Sequence, residues 1–285
     1  MTIKNFIKIL TPPIIWNALK YIIRKRRENT FPACSLPYPK HMNALIIANG
    51  PSFNEHYPII SKKYREFDII TVNYSLEQEK IRSFSPVFHI LIDPNFFNNE
   101  SDIARTQAML EKVSWKMTII VPDIFYEKSI SLYSKNSNIS IKYMPSRAAS
   151  EISDQQAAFQ LCDRGLASAG CMNVSVMAIF LAIILGYQKI YITGLDMTLN
   201  NFSCDETCIV YNDQNHFYDD EKNKKHYLNL MRIYFCLYTA YKQYYFISDY
   251  AKYKNIKIIN LSLASLLDAF PKGTLQGEIY PFLRP

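Results

Sequence analysis

Residues 43–52 read Asn-Ala-Leu-Ile-Ile-Ala-Asn-Gly-Pro-Ser, and this stretch decides the class of the fold. Asn43–Ala48 is a continuous apolar run too short for a helix, stopped by the turn Asn49-Gly50-Pro51-Ser52. A strand that is apolar on both sides must be covered on both sides, which marks an internal strand of a parallel sheet. The pattern recurs outward from there. Asp68–Val72 (DIITV) ends at Asn73, Val87–Ile92 (VFHILI) ends at Asp93-Pro94, and Met117–Val121 (MTIIV) ends at Pro122-Asp123. Polar segments able to form helices separate these runs. Strand and helix signals in alternation predict a sheet covered by helices on both faces.

The second half continues the pattern. Cys171–Leu185 (CMNVSVMAIFLAIIL) is apolar almost all round, which predicts a buried helix, and Gly186 stands where a C-terminal capping glycine belongs. Lys189–Thr193 (KIYIT) predicts a strand running into Gly194-Leu195-Asp196. Residues 198–226 are polar and irregular, as an active-site loop or lid would be. Residues 227–254 read as a helix rich in Tyr and Phe, and Ile256–Asn260 as a final strand. The expected fold is α/β, a doubly wound, mostly parallel Rossmann-like sheet with a helical or irregular lid insertion and an N-terminal amphipathic helix.

In such sheets ligands bind beyond the carboxyl ends of the strands. Five polar turns fall there: Asn49-Gly50-Pro51-Ser52, Asn73-Tyr74, Asp93-Pro94-Asn95, Gly194-Leu195-Asp196, and Ser168-Ala169-Gly170, which is expected to open the buried helix. Each suits a nucleotide. Gly50 lacks a Cβ and lets backbone approach a ligand. Asn49 and Asn73 each carry a donor and an acceptor, fit for ribose hydroxyls or a pyrimidine edge. Free amides at a helix start, expected at Ser168–Gly170, attract phosphate or carboxylate. Asp196 could hold a ribose hydroxyl or an exocyclic amine. Neither the G-x-G-x-x-G nor the G-x-x-x-x-G-K-[ST] fingerprint occurs, which argues against NAD-dependent dehydrogenases and P-loop kinases.

The lid holds the other candidates, in Tyr211-Asn212-Asp213-Gln214-Asn215-His216-Phe217-Tyr218-Asp219-Asp220. His216 is the natural general base near neutral pH, with Asp220 and His226 as rivals. His41, His56 and His89 read as structural or incidental.

Net charge is +7, and residues 1–40 carry all of it, with eight basic residues against Glu28. The remaining chain has 24 basic and 24 acidic residues, so no nucleic-acid partner is expected. Residues 11–27 (TPPIIWNALKYIIRKRR) combine helical apolar spacing with four terminal cations. The apolar run falls short of the ~20 residues that span a bilayer. It reads instead as an interfacial helix, placing residues 1–27 on an anionic inner-membrane surface and the protein in the cytoplasm as a peripheral membrane protein. The six cysteines are expected as free thiols. Residues 1–40 are thus an arm and linker, and residues 41–285 a nucleotide-binding catalytic domain with a lid over about 198–240. A homo-oligomer is left open.

At these turns the chain resembles the bacterial sialyltransferases of glycosyltransferase family 42. The matching features are the strand followed by Asn49-Gly50-Pro51-Ser52, Asn73 at the second strand end, and the Ser168–Gly170 turn before an apolar helix. Gly186-Tyr187, Gly194-Leu195-Asp196 and Asn212-Asp213-Gln214-Asn215-His216-Phe217 complete them. The similarity covers about residues 43–226. It implies an enzyme of cell-envelope polysaccharide or lipopolysaccharide synthesis. That enzyme would transfer N-acetylneuraminic acid, or a related nonulosonic acid, from a CMP-activated donor to a glycan or lipid-linked glycan acceptor, with inversion. It implies no metal and no cofactor, a lid histidine as base and lid tyrosines at the departing phosphate. The chain departs from the family pattern in three places. Asp93-Pro94-Asn95 replaces Asn-Pro-Ser, and Thr198 stands where a phosphate-binding tyrosine is expected, leaving that role to Tyr211 or Tyr218. The base position of the family falls on Asp220, so the base is His216 or Asp220. A wider set, the 6-hydroxymethylpterin diphosphokinase-like proteins, shares the Asn-Gly-Pro-Ser and Gly-x-Asp strands. That likeness implies diphosphate transfer from ATP with Mg²⁺ on carboxylates such as Asp93 and Asp196. A non-catalytic nucleotide-binding protein is the third reading.

Overall fold

A central parallel sheet is built from the predicted apolar runs. The computed structural model describes residues 36–197 and 230–280, with the backbone of 202–204, 210–212 and 226–228. The expected membrane-binding residues 1–27 lie outside the described residues. The strands are β1 (Asn43–Ile47), β2 (Asp68–Val72), β3 (Phe88–Ile90), β4 (Met117–Pro122), β5 (Ile139–Met144) and β6 (Lys189–Thr193). Then come β7 (Phe202–Cys204), β8 (Val210–Asn212) and β9 (His226–Leu228), an antiparallel sheet of their own, and β10 (Lys257–Asn260), β11 (Lys272–Gly273) and β12 (Ile279–Tyr280). The large sheet has the order β12-β11-β10-β6-β1-β2-β3-β4-β5, and only the β11–β12 pair is antiparallel.

The fold is therefore α/β and doubly wound, as the alternation predicts. Side chains of β1 alternate between two cores: Ala44 and Ile46 face one, Leu45 and Ile47 the other. Helices α1 (Ser52–Lys63), α2 (Glu79–Arg82), α3 (Asn95–Asn98), α4 (Glu100–Glu111) and α5 (Tyr126–Tyr133) cover the Leu45 face. Helices α6 (Gln155–Asp163), α7 (Val174–Ile184) and α8 (Leu230–Tyr253) cover the Ile46 face. Apolar side chains removed from water on both faces supply the driving force, roughly 1.5–3 kcal/mol for each large one. In α7 the buried residues run unbroken from Ser175 to Ile183, because the helix lies between the sheet and α8. It ends as predicted. Gly186, at φ +80°, donates to Ile183 O (3.0 Å), and Tyr187 N donates to Ala182 O (3.3 Å), a Schellman cap.

Several elements differ from the expectations. Strand β5 is not among the expected strands, because it alternates Ile139-Ser140-Ile141-Lys142 on a half-exposed sheet edge instead of forming an apolar run. Strands β11 and β12, two residues each, give no sequence signal. Strands β7, β8 and β9 give the expected irregular lid an ordered antiparallel ladder. Residues 230–240 of the expected lid span form the first turns of α8.

The chain enters the sheet through Asp68. Its Oδ2 accepts from the backbone N–H of Lys40 (2.7 Å) and His41 (3.2 Å) and from the Tyr187 hydroxyl (2.9 Å). Asp68 is buried, and all three partners stabilise its charge there.

Candidate functional site

Strands β2 to β5 are laid down on one side of β1, and β6 and β10 on the other. This reversal is a topological switch point, where the loops leaving β1 and β6 diverge and open a crevice. The two loops are held together at their base. Ala48 N donates to Thr193 O (2.9 Å) and Gly50 N to Gly194 O (2.8 Å). The approach requires both glycines. A Cβ on Gly194, already at φ +71°, would strike Ala48 O, and one on Gly50 would lie 2.6 Å from Gly194 O.

Above this base lies a cleft of about 710 Å³, within the usual range for small-molecule sites. Four predicted turns meet there: Asn49, Gly50 and Pro51 after β1, Asn73 after β2, Asp93 and Asn95 after β3, and Gly194, Leu195 and Asp196 after β6. The opposite wall comes from residues not expected at the site: Cys171–Ser175 before and within α7, and Arg232 and Cys236 on α8. Nothing in residues 230–236 alone signals that α8 returns to the cleft, since helical periodicity gives no direction in space.

Asn49 and Asn73 carry the clearest polar signal. Each has a side-chain oxygen buried from water and without a hydrogen-bond partner. Asn73 also holds left-handed backbone (φ 50°), as does Met197 (φ 48°) directly after Asp196. A non-glycine residue in this region costs about 1 kcal/mol, and such strain gathers at functional sites. Asp93 shapes its own loop by accepting from Asn95 N (2.8 Å).

Ser52 does not line the cleft. It is the first residue of α1, and its N–H donates to Asp196 Oδ2 (3.0 Å) while its hydroxyl donates to Asp196 Oδ1. The same hydroxyl meets Ser262 Oγ at 2.6 Å, after β10. Beneath them Asn260 Nδ2 donates to Leu195 O (3.2 Å), and Leu266 N to Asp196 O (3.2 Å). Asp196 thus sits at the positive end of α1, where a phosphate often lies in such folds.

The Ser168-Ala169-Gly170 turn does not open the buried helix, which corrects the sequence expectation. Helix α7 starts at Val174, capped by Asn173, whose side chain accepts from Ser175 N. Ser168 and Ala169 are buried and outside the cleft lining. Ser168 is fixed by backbone bonds to Arg147 O (2.9 Å) and from Ala149 N (2.7 Å). Gly170, at φ +123°, is packed against Gln243 of α8, whose Oε1 accepts from Met172 N (3.1 Å). The turn belongs to the core because α8 closes over it, a contact between segments about 70 residues apart.

Two histidines, His89 and His56, make side-chain hydrogen bonds within the fold. His89 is wholly buried, with Nδ1 on Thr71 Oγ1 (2.9 Å), and burial pushes its pKa down to about 3. His56 Nδ1 meets Thr193 Oγ1 at 2.8 Å. Burial lowers its pKa, against the opposing charges of Glu55 and Asp196. Cys162, Cys171 and Cys236 are free thiols. Among the described residues no group of three His, Cys, Asp or Glu side chains gathers to hold a metal, and no helix is long and apolar enough to cross a membrane. His216, Tyr218 and Asp220 lie outside the described residues, and Tyr211 is placed only as backbone in β8.

Fold and cleft together define a doubly wound α/β protein with a ligand-sized crevice at its switch point. Residues 17–202 match the family described as 6-hydroxymethylpterin diphosphokinase MptE-like, and the chain belongs to this MptE-like family. Its fold is also similar to a structure described as the MAf glycosyltransferase from Magnetospirillum magneticum AMB-1. The TM-score is 0.48 and the identity 16%, over 81% of this chain and 33% of that one. The chain therefore spans about a third of the length of that protein. No curated protein sequence matches the chain.

Proposed function

We propose that the chain is a transferase that takes its group from a nucleotide-activated donor bound in the switch-point cleft. The observation that carries this reading is the pair of buried Asn49 and Asn73 oxygens on one cleft wall, acceptors without a donor. Buried acceptors left unpaired cost free energy, and amino or hydroxyl groups of a nucleoside would satisfy them. Asp93 and Asp196 stand on the same set of loops to receive ribose hydroxyls.

In its finer form the donor is CMP-N-acetylneuraminic acid or a related CMP-nonulosonic acid, and the acceptor a glycan or lipid-linked glycan. His216 or Asp220 takes the proton from the acceptor hydroxyl as the bond to CMP breaks, so the anomeric centre inverts. Tyr218 or Tyr211 stabilises the departing phosphate. The basic residues 1–27 hold the enzyme beside the inner membrane, on its cytoplasmic side. The resemblance of the Asn-Gly-Pro-Ser and Gly-x-Asp turns to the family 42 sialyltransferases supports this form.

Family membership favours a second reading, diphosphate transfer from ATP. Mg²⁺ is held by one or two carboxylates together with substrate phosphates and water. Asp93 and Asp196, the cleft's carboxylates among the described residues, fit that need. Bound there, Mg²⁺ would neutralise charge on the transferred phosphates.

A thermal-shift series with CMP, CDP, UDP, GDP and ATP, each with and without Mg²⁺, separates the readings. Stabilisation of ~2.7 kcal/mol is expected at a hundredfold excess over Kd. Preference for CMP without Mg²⁺ supports the glycosyl donor, and preference for ATP with Mg²⁺ supports diphosphate transfer. A flat response to every nucleotide would sink both.

A further inference from the structure

In a doubly wound sheet the first place to look for a bound phosphate is the helix start after β1. Here that place is taken. Asp196 supplies both carboxylate oxygens to Ser52 at the start of α1, so the chain's own anion occupies the site. The second place expected from sequence, Ser168–Gly170, is buried under α8 and does not reach the cleft. The strand-loop wall offers Asp93 and Asp196, both negative. Among the described residues, the remaining lining holds the N-terminal end of the eleven-residue helix α7 and Arg232. Among the described residues Arg232 is the only Lys or Arg in the cleft lining.

The geometry points to an anion subsite on the α7–α8 wall, with Arg232 as the residue that pairs with the phosphate, or with a carboxylate, of the cleft's ligand. The Asn49 oxygen, on a residue that is 8% exposed, independently marks the facing wall as the end that meets a hydrogen-bond donor. The cleft is therefore polar along its length. Nucleoside hydroxyl and amino groups meet Asn49, Asn73 and Asp93, and the anion lies across from them at Arg232. The guanidinium matches phosphate and carboxylate oxygens in a two-point geometry that lysine cannot reproduce. This assignment rests on the nucleotide-binding reading above and adds the orientation of the ligand.

The test compares a nucleoside with its monophosphate: cytidine with CMP, and adenosine with AMP, by calorimetry on the full chain. The wild type is expected to bind the monophosphate roughly 10- to 100-fold more tightly than the nucleoside, the value of a charged hydrogen-bonded contact. Arg232→Gln should lower that ratio by about tenfold or more, and retained nucleoside binding by the same variant shows that it is folded. Arg232→Lys should restore some of the ratio. A ratio unaltered by Arg232→Gln, or a wild type that binds nucleoside and monophosphate equally, overturns the subsite and leaves nucleotide binding standing. A wild type that binds none of the four compounds overturns the nucleotide reading itself.

Discussion

Ser52 and Asp196, 144 residues apart in the chain, are joined by two hydrogen bonds across the boundary between β1 and β6: Ser52 N to Oδ2 at 3.0 Å, and Ser52 Oγ to Oδ1. The pair ties the first and sixth strand loops to each other and, through Ser262, to the loop after β10. What looks in sequence like two separate ligand contacts is mainly a single internal clamp. Asp196 keeps its place on the cleft because Ser52 holds it there.

Ser52→Ala should weaken that clamp. It removes the hydroxyl donor to a partly buried carboxylate, at a cost of ~1.5 kcal/mol. Chemical denaturation should show this loss, and nucleotide affinity should fall with it. Ser52→Thr, which keeps the hydroxyl, should recover most of both.

Gly194→Ala and Gly186→Ala form a matched pair. Both glycines have positive φ, but a Cβ on Gly194 meets Ala48 O, whereas one on Gly186 meets nothing within 4 Å. Gly186→Ala should therefore cost only the conformational strain, ~1 kcal/mol. Gly194→Ala should cost ~2–5 kcal/mol, because overpacking against rigid backbone adds to the strain. Equal shifts in the two melting temperatures would contradict the close approach of the β1 and β6 loops.

Stability should fall on acidification through His89. Its folded pKa, near 3, lies below the unfolded value near 6.5, so the unfolded chain binds the extra proton. The contribution is complete above about pH 6.5 and is lost as pH falls towards 3, with a slope of up to ~1.4 kcal/mol per pH unit. His56, lowered in the same sense, adds to it. His89→Gln should flatten the acid limb of a urea-midpoint profile measured between pH 7.5 and 4. An unchanged slope would mean that His89 is not the titrating group.

Under the proposed glycosyl transfer, kinetics decide between the two candidate bases. If His216 takes the acceptor proton, His216→Ala lowers turnover ~100-fold or more and Asp220→Asn much less. If Asp220 does so, the order reverses. Hydrolysis of CMP-sialate in the absence of acceptor is the simplest assay, and donor binding should survive in both variants.

The internal strands of this protein were legible because burial on both faces forces an apolar run, and β1, β2, β4 and β6 each show one. The capping role of Gly186 was legible for a similar local reason: only glycine takes that backbone without strain. The ends of β1, β2, β3 and β6 supplied Asn49, Gly50, Asn73, Asp93 and Asp196, since ligands in such sheets meet the carboxyl edge where the order reverses. Edge strand β5 was not legible, because half its side chains face water and its pattern resembles a loop.

Local sequence determined which residues could turn, cap or bury themselves. Only the tertiary structure decided which of them face the cleft. Ser52 turned inward to Asp196, Ser168–Gly170 disappeared beneath Gln243, and Arg232 arrived from a helix that nothing in its own residues directs to the site. These outcomes depend on contacts between segments tens to hundreds of residues apart, and a side chain's own neighbours in sequence carry no record of what packs against it.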